Sequence, residues 1–106
     1  MTRAQAKPKI TEAQFQAQVD CLLDWAGFDH YHTHDSRRSD GGFPDLIAVN
    51  PFVSPARKLA IELKVKPNKP TSEQLYWLET MRLCGFEIYV WYPEDWPLIE
   101  AVLSVR

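Results

Sequence analysis

An α/β fold is predicted, a small mixed β-sheet flanked by helices in the order αβββαβα. Three observations carry it. Apolar residues recur at helical spacing in three stretches, after Thr11, after Thr71 and after Pro93. Between them lie short runs with strand character, most clearly Leu59, Ile61, Leu63 and Val65 alternating with Glu62 and Lys64. The runs at residues 46–49 and 59–65 are near enough in sequence to pair antiparallel. The later strand–helix–strand succession implies a right-handed crossover and a parallel pair.

Taken in order, residues 1–10 carry Arg3, Lys7, Pro8 and Lys9 without periodicity and read as a tail or short arm, leaving 11–106 as one domain. Thr11 caps the first helix with Gln14 as its capping-box partner. Phe15, Val19, Leu22, Leu23 and Ala26 form its packing stripe, and Gly27 suits the left-handed position at its end. Glu12 shares the side of Phe15 and Val19 and is expected to point toward the sheet.

Residues 28–34 read as a strand with His30, His32 and His34 on one face. Alternation does not by itself place three nitrogens around one ion, and no fourth ligand is evident, so no zinc site is assigned. Residues 35–42 are a polar loop containing Arg37 and Arg38 and ending in Gly41-Gly42, which permit either a turn or a close backbone approach. The turn at 50–56 carries Phe52 and Val53, candidates for a dimer contact.

The second helix starts near Thr71 or Ser72, with Gln74, Trp77, Leu78 and Met81 on the face that packs on the sheet. Gln74 is either the capping-box partner of Thr71 or a side chain aimed at the site end of the sheet; spacing does not separate the two. Gly85 ends this helix. Residues 86–92 are apolar on both faces apart from Glu87, as expected of a strand covered from both sides. A last helix follows Pro93, capped by Asp95, with Leu98, Ile99, Val102 and Leu103 packing. Trp77, Trp91 and Trp96 read as packing groups.

The chain has 106 residues, 45% hydrophobic and 12% aromatic, enough for one core. It has no apolar run of membrane-spanning length and no secretory signal, which places it in a cytoplasm without a membrane role. Cys21 and Cys84 stand apart, each in an apolar helical pattern, and are expected to be reduced and buried. The net charge of -2 does not suit a protein that coats nucleic acid nonspecifically, but basic residues cluster locally: Arg37, Arg38, Lys58, Lys64, Lys66 and Lys69. A phosphate-cradling G-x-x-x-x-G-K-[ST] loop is absent, so no nucleotide cofactor is expected.

The chemistry concentrates in residues 42–64. Period-2 alternation puts Glu62 and Lys64 on one face of their strand, and antiparallel pairing brings Asp45 beside Glu62. Two carboxylates with a lysine suit phosphodiester hydrolysis: hard oxygen ligands hold Mg2+ or Mn2+, and the lysine orients water or offsets developing charge. An isolated Glu-x-Lys is otherwise a common surface pair on an edge strand.

Gly42-Phe43-Pro44-Asp45-Leu46, followed by Glu62-Leu63-Lys64, the run Thr71-Ser72-Glu73-Gln74-Leu75-Tyr76-Trp77-Leu78 and Gly85 before a strand, resembles in its order the VRR-NUC branch of the PD-(D/E)XK nuclease superfamily. The match runs from about Glu12 to Leu103. The resemblance implies a restriction-endonuclease-like core and a metal-dependent endodeoxyribonuclease. Asp45 and Glu62, with the carbonyl of Leu63, would hold Mg2+ or Mn2+. Lys64 would position or help deprotonate the attacking water, Gln74 would orient the site and Glu12 would assist. Arg37, Arg38, Lys66 and Lys69 would meet DNA. Members that stand alone suggest a homodimer acting on branched DNA, with Holliday junction resolution as the leading substrate expectation. A flap, nick or duplex nuclease and a noncatalytic DNA-binding module are the alternatives.

Overall fold

A computed structural model describes residues 9–33 and 41–104. His34, Arg37 and Arg38, singled out above, lie outside the described residues, as does the proposed tail through residue 8. The elements are α1 (Glu12–Ala26), β1 (Asp29–His32), β2 (Leu46–Asn50), β3 (Arg57–Leu63), α2 (Ser72–Leu83), β4 (Glu87–Trp91) and α3 (Trp96–Leu103), with a 3-10 turn at Pro93–Asp95 before α3. This is the expected succession.

The four strands lie in the order β1-β2-β3-β4. β1 and β2 pair antiparallel, as do β2 and β3, while β3 and β4 are parallel, so the sheet is mixed. Register fixes what faces what. Leu46 is opposite Ile61 and Ala48 opposite Leu59, and Leu63 is opposite Trp91. These residues bury against Phe15, Val19 and Leu23 of α1 and Ile99 and Leu103 of α3 in one core cluster. Strand alternation then sends Glu62 and Lys64 to the opposite face, where α2 lies.

Local chemistry accounts for the ends. Thr11 Oγ1 accepts the Gln14 N–H while the Gln14 side chain accepts the Thr11 N–H, and Gly27 closes α1 at φ 89°. Thr71 and Gln74 repeat the box at α2. Gly85 takes φ 101° where α2 turns into β4.

Four expectations are corrected. Asp95 stands at the N-cap of α3 as expected, but its side chain makes no cap hydrogen bond to that helix; its carboxylate accepts the Tyr92 N–H at 2.9 Å and so anchors the 3-10 turn. β4 is an edge strand, and only Trp91 of its five residues is buried. Its apolar composition on both faces did not reveal that, among the described residues, no strand pairs beyond it. Cys21 and Cys84 are free but exposed, Cys21 because it falls off the buried stripe of α1 and Cys84 because it is the C-cap residue beyond the end of α2. Glu12 is exposed at the first turn of α1 and does not turn inward. No described helix is long and apolar enough to cross a membrane.

Candidate active site

The site forms where the β2 entry, the end of β3 and the start of α2 meet. The ladder between β1 and β2 continues past β1, with Thr33 N–H donating to the Asp45 carbonyl at 3.0 Å and Thr33 Oγ1 donating to the Pro44 carbonyl at 3.0 Å. Phe43 packs edge-on against Trp77 of α2, ring centroids 5.1 Å apart. Gly42 has φ 85°, and a Cβ there would lie 2.6 Å from the backbone carbon of Glu73. The second glycine thus serves both readings left open by the sequence: it takes a left-handed turn, and it lets the loop press on α2 backbone. The loop before Asp45 is thereby clamped against the helix that carries Gln74.

Asp45 and Glu62 are tied to each other's strands. Asp45 N–H donates to Glu62 Oε1 at 3.3 Å, and Leu63 N–H donates to Asp45 Oδ2 at 3.1 Å. Lys64 lies one residue beyond β3, but its N–H still donates to the Trp91 carbonyl at 2.9 Å, which holds the strand direction. Its Nζ sits 3.5 Å from Glu62 Oε2. The expectation that Asp45, Glu62 and Lys64 share one face at one end of the sheet is met in this geometry.

Glu62 is 1% exposed, the most secluded charged side chain of the described residues. Burial raises its pKa first, and the neighbouring Asp45 charge raises it further; Lys64 offsets only part of this, leaving it at about 8 against an ordinary value of 4.5. One lysine therefore does not balance two carboxylates. A divalent cation would supply the missing positive charge, and the donor set is of the hard oxygen type that Mg2+ and Mn2+ prefer. The residues present fit such an ion.

Gln74 resolves the ambiguity of spacing by doing both things. Its Oε1 accepts the Thr71 N–H at 2.9 Å, completing the capping box, while its Nε2 donates to Glu62 Oε2 at 2.7 Å. A backbone N–H donates only, so the Thr71 contact fixes which end of the amide is which and leaves Nε2 for Glu62. The helix cap and the site are one hydrogen-bonded unit.

Among the described residues, the remaining candidates Glu12, Lys66 and Lys69 make no hydrogen bond or ion pair to this cluster. Glu12 belongs to α1, on the other face of the sheet, and makes no hydrogen bond or ion pair to Asp45, Glu62 or Lys64 among the described residues. Lys66 is exposed and 3.2 Å from Glu94, a pair too solvated to withdraw it from a polyanion. Lys69 is exposed in the turn before α2. Thr33, which no motif marks, braces the Pro44-Asp45 turn; its only signal was its place just past a strand facing that loop.

Comparison with known proteins identifies the family and the fold. A VRR-NUC domain profile matches residues 7–94, and the chain belongs to the VRR-NUC family. Among solved structures it is similar to a VRR_NUC domain protein at 20% identity and TM-score 0.61, covering 90% of this chain and 87% of that one. It is also similar to Hjc, a Holliday junction resolvase from the archaeal hyperthermophile Archaeoglobus fulgidus, at 27% identity and TM-score 0.54, covering 76% and 67%. No curated protein matches the chain. The fold is thus that of a nuclease family, with the sheet and flanking helices of the resolvase-type core.

Proposed function

We propose that the protein is a metal-dependent endodeoxyribonuclease that hydrolyses phosphodiester bonds in structured DNA as a homodimeric Holliday junction resolvase. The observation that carries this is Glu62: a buried carboxylate set against Asp45, with Lys64 3.5 Å away and Gln74 donating to it at 2.7 Å. A fold has no use for such an electrostatically costly arrangement, whereas hydrolysis of a phosphodiester does. Family membership supports nuclease chemistry, and the likeness to an archaeal resolvase favours branched DNA as substrate.

Asp45 and Glu62 would hold Mg2+ or Mn2+, with the carbonyl of Leu63 as a further ligand. The ion, when bound, polarises the phosphate and acidifies water. The Lys64 ammonium would orient the attacking water and offset the negative charge that develops as that water loses its proton to solvent. Gln74 keeps the Glu62 carboxylate pointed at the metal position, and the clamped Gly42-Phe43-Pro44 turn does the same for Asp45. Cleavage is expected to leave a 5'-phosphate and a 3'-hydroxyl. Lys66 and Lys69, with Arg37 and Arg38, are assigned to the DNA backbone. Glu12 keeps only the assisting role that the resemblance gives it; exposed and apart from the pair, it should matter far less than Glu62.

Two symmetric arms of a junction are most simply cut by a two-fold dimer. The test is cleavage of matched four-way junction, flap, duplex and single-stranded DNA with Mg2+ or Mn2+, beside Glu62→Gln. Paired symmetric cuts in the junction, absent from the variant, support the proposal. Cuts in flap or duplex alone would keep the nuclease and discard resolution. Metal-dependent binding without cutting would leave a DNA-binding module.

A further inference from the structure

On the face of the sheet opposite Glu62, a second set of metal-ligating side chains converges between α1 and β1. His30 and His32, two residues apart on β1, project to the α1 side, since they pair with the core residues Ala48 and Leu46. Gln16, Asp20 and Asp24 follow one another at four-residue spacing on α1 and so form a polar stripe beside them. His32 Nε2 lies 2.6 Å from Asp20 Oδ1, and His30 Nδ1 lies 3.7 Å from the same oxygen. One ligand atom from each of Asp20, His30 and His32 fits within a span of 4.8 Å.

The surroundings prepare these atoms for a cation. His30 Nε2 is 2.8 Å from Asp24 Oδ1, and a carboxylate only accepts, so the proton of a neutral ring resides on Nε2 and Nδ1 carries the lone pair. That Nδ1 is sealed from solvent and receives no hydrogen bond among the described residues. A carboxylate behind a histidine, fixing its tautomer and raising its basicity, is the usual outer support of a metal-bound imidazole. Both histidine side chains are mostly buried, at 16% and 13% exposure, while Asp20 remains reachable at 26%. The Gln16 amide is 3.5 Å from His32 Nε2, and its two ends are interchangeable by rotation, so its carbonyl oxygen can complete the shell.

We infer that Asp20, His30 and His32 form a site for a borderline divalent transition-metal ion of the Zn2+ type, separate from the Asp45–Glu62 pair and backed by Asp24. Two imidazoles and one carboxylate suit Zn2+ rather than Mg2+, which prefers an all-oxygen shell. Metal–ligand distances of about 2.1 Å require separations near 3.4 Å for tetrahedral ligands. The 3.7 Å contact already suits this, and the 2.6 Å contact opens by a side-chain adjustment once the ion takes the place of the shared proton. The ion would fasten the middle of α1 to the edge strand β1. Its effect is therefore on stability, and it is independent of nuclease turnover.

The experiment uses the full chain without a histidine tag, stripped with EDTA and titrated with Zn2+ against a chromophoric chelator. Wild type and Glu62→Gln are expected to bind one equivalent at this site and to gain about 5 °C or more in Tm at saturating Zn2+. Asp20→Asn and the double variant His30→Gln/His32→Gln should weaken that binding by tenfold or more, and Asp24→Asn by about tenfold. A variant-free reading comes from the imidazole 15N resonances. Zn2+ should shift Nδ1 of one ring and Nε2 of another, assigned to His30 and His32. Unmoved histidine nitrogens, or Zn2+ binding lost in Glu62→Gln and kept in the double histidine variant, would overturn the inference.

Discussion

Glu62 and Glu87 sit on neighbouring strands of one sheet and are treated in opposite ways. Glu87 is held by Arg57, whose Nη2 and Nε donate to its two oxygens at 2.6 and 2.8 Å, and Tyr89 Oη donates to it at 2.7 Å. Arg57 spends its remaining reach on the Val102 carbonyl of α3, at 3.0 Å, and on the Phe28 ring. The Arg57 hydrogen bond accordingly lowers the Glu87 pKa. Glu62 is more deeply buried and has a second acid for a neighbour, and its pKa rises to about 8. One end of the sheet closes its charges on themselves to join β3, β4 and α3. The other sets two acids against one lysine, and the charged form of Glu62 is disfavoured there, an arrangement that an added cation would relieve.

The comparison is broken most sharply by exchanging function for stability. Glu62→Gln keeps one oxygen, able to accept from either Asp45 N–H or Gln74, while removing the charge. Cleavage should fall on the order of a thousandfold or more, with Tm unchanged or higher, since strain stored at a site is released when the site is disabled. Lys64→Ala should likewise abolish cleavage and leave the fold intact. Activity per folded molecule, with Tm from the same preparations, checks both. Gln74→Ala comes next: loss of the donor to Glu62 should lower kcat by about ten- to a hundredfold, and loss of the capping-box partner should cost about 1 kcal/mol of stability, read from urea unfolding.

Gly42→Ala tests the clamp rather than the charges. A Cβ at positive φ pressed on the α2 backbone should destabilise by about 2 kcal/mol, and the displaced Asp45 should lower activity along with it. Undiminished stability would mean that the loop before Asp45 is not held by α2. The smallest effect belongs to the closed end. Glu87→Gln should cost about 1 kcal/mol at neutral pH, discounted for the partial exposure of the pair, with cleavage retained. The pKa of Glu87 is lowered in the folded state, so its stabilisation is complete above the ordinary value near 4.5 and is lost as pH falls through the folded value. The stability gap between wild type and Glu87→Gln should therefore narrow in acid, as thermal unfolding from pH 7 to pH 3 would reveal.

Much of this contrast was legible in the residues. Capping boxes at Thr11 and Thr71, Gly27 and the alternation through 59–65 place α1, α2 and β3, because each is a local signal. The sharing of a face by Glu62 and Lys64 follows from strand geometry alone. The depth of Glu62 does not, since burial depends on α2 arriving over that face. Gln74 was ambiguous for a similar reason: one amide has two ends, and only the fold shows both engaged. The edge position of β4 and the exposure of Cys21, Cys84 and Glu12 depend on which surfaces lack a neighbour, which periodicity does not encode. The histidines of β1 were conspicuous, but their partner Asp20 lies ten residues before His30 on a different element. Only the packing of α1 on β1 brings it near.

The most direct test of the central claim is Mn2+-dependent cleavage of a four-way junction by wild type, Glu62→Gln and Glu87→Gln at equal concentrations of folded protein. The account predicts paired cuts by wild type and Glu87→Gln and none by Glu62→Gln. Cleavage by Glu62→Gln at the wild-type rate would contradict it, because the buried carboxylate would then have no part in the chemistry.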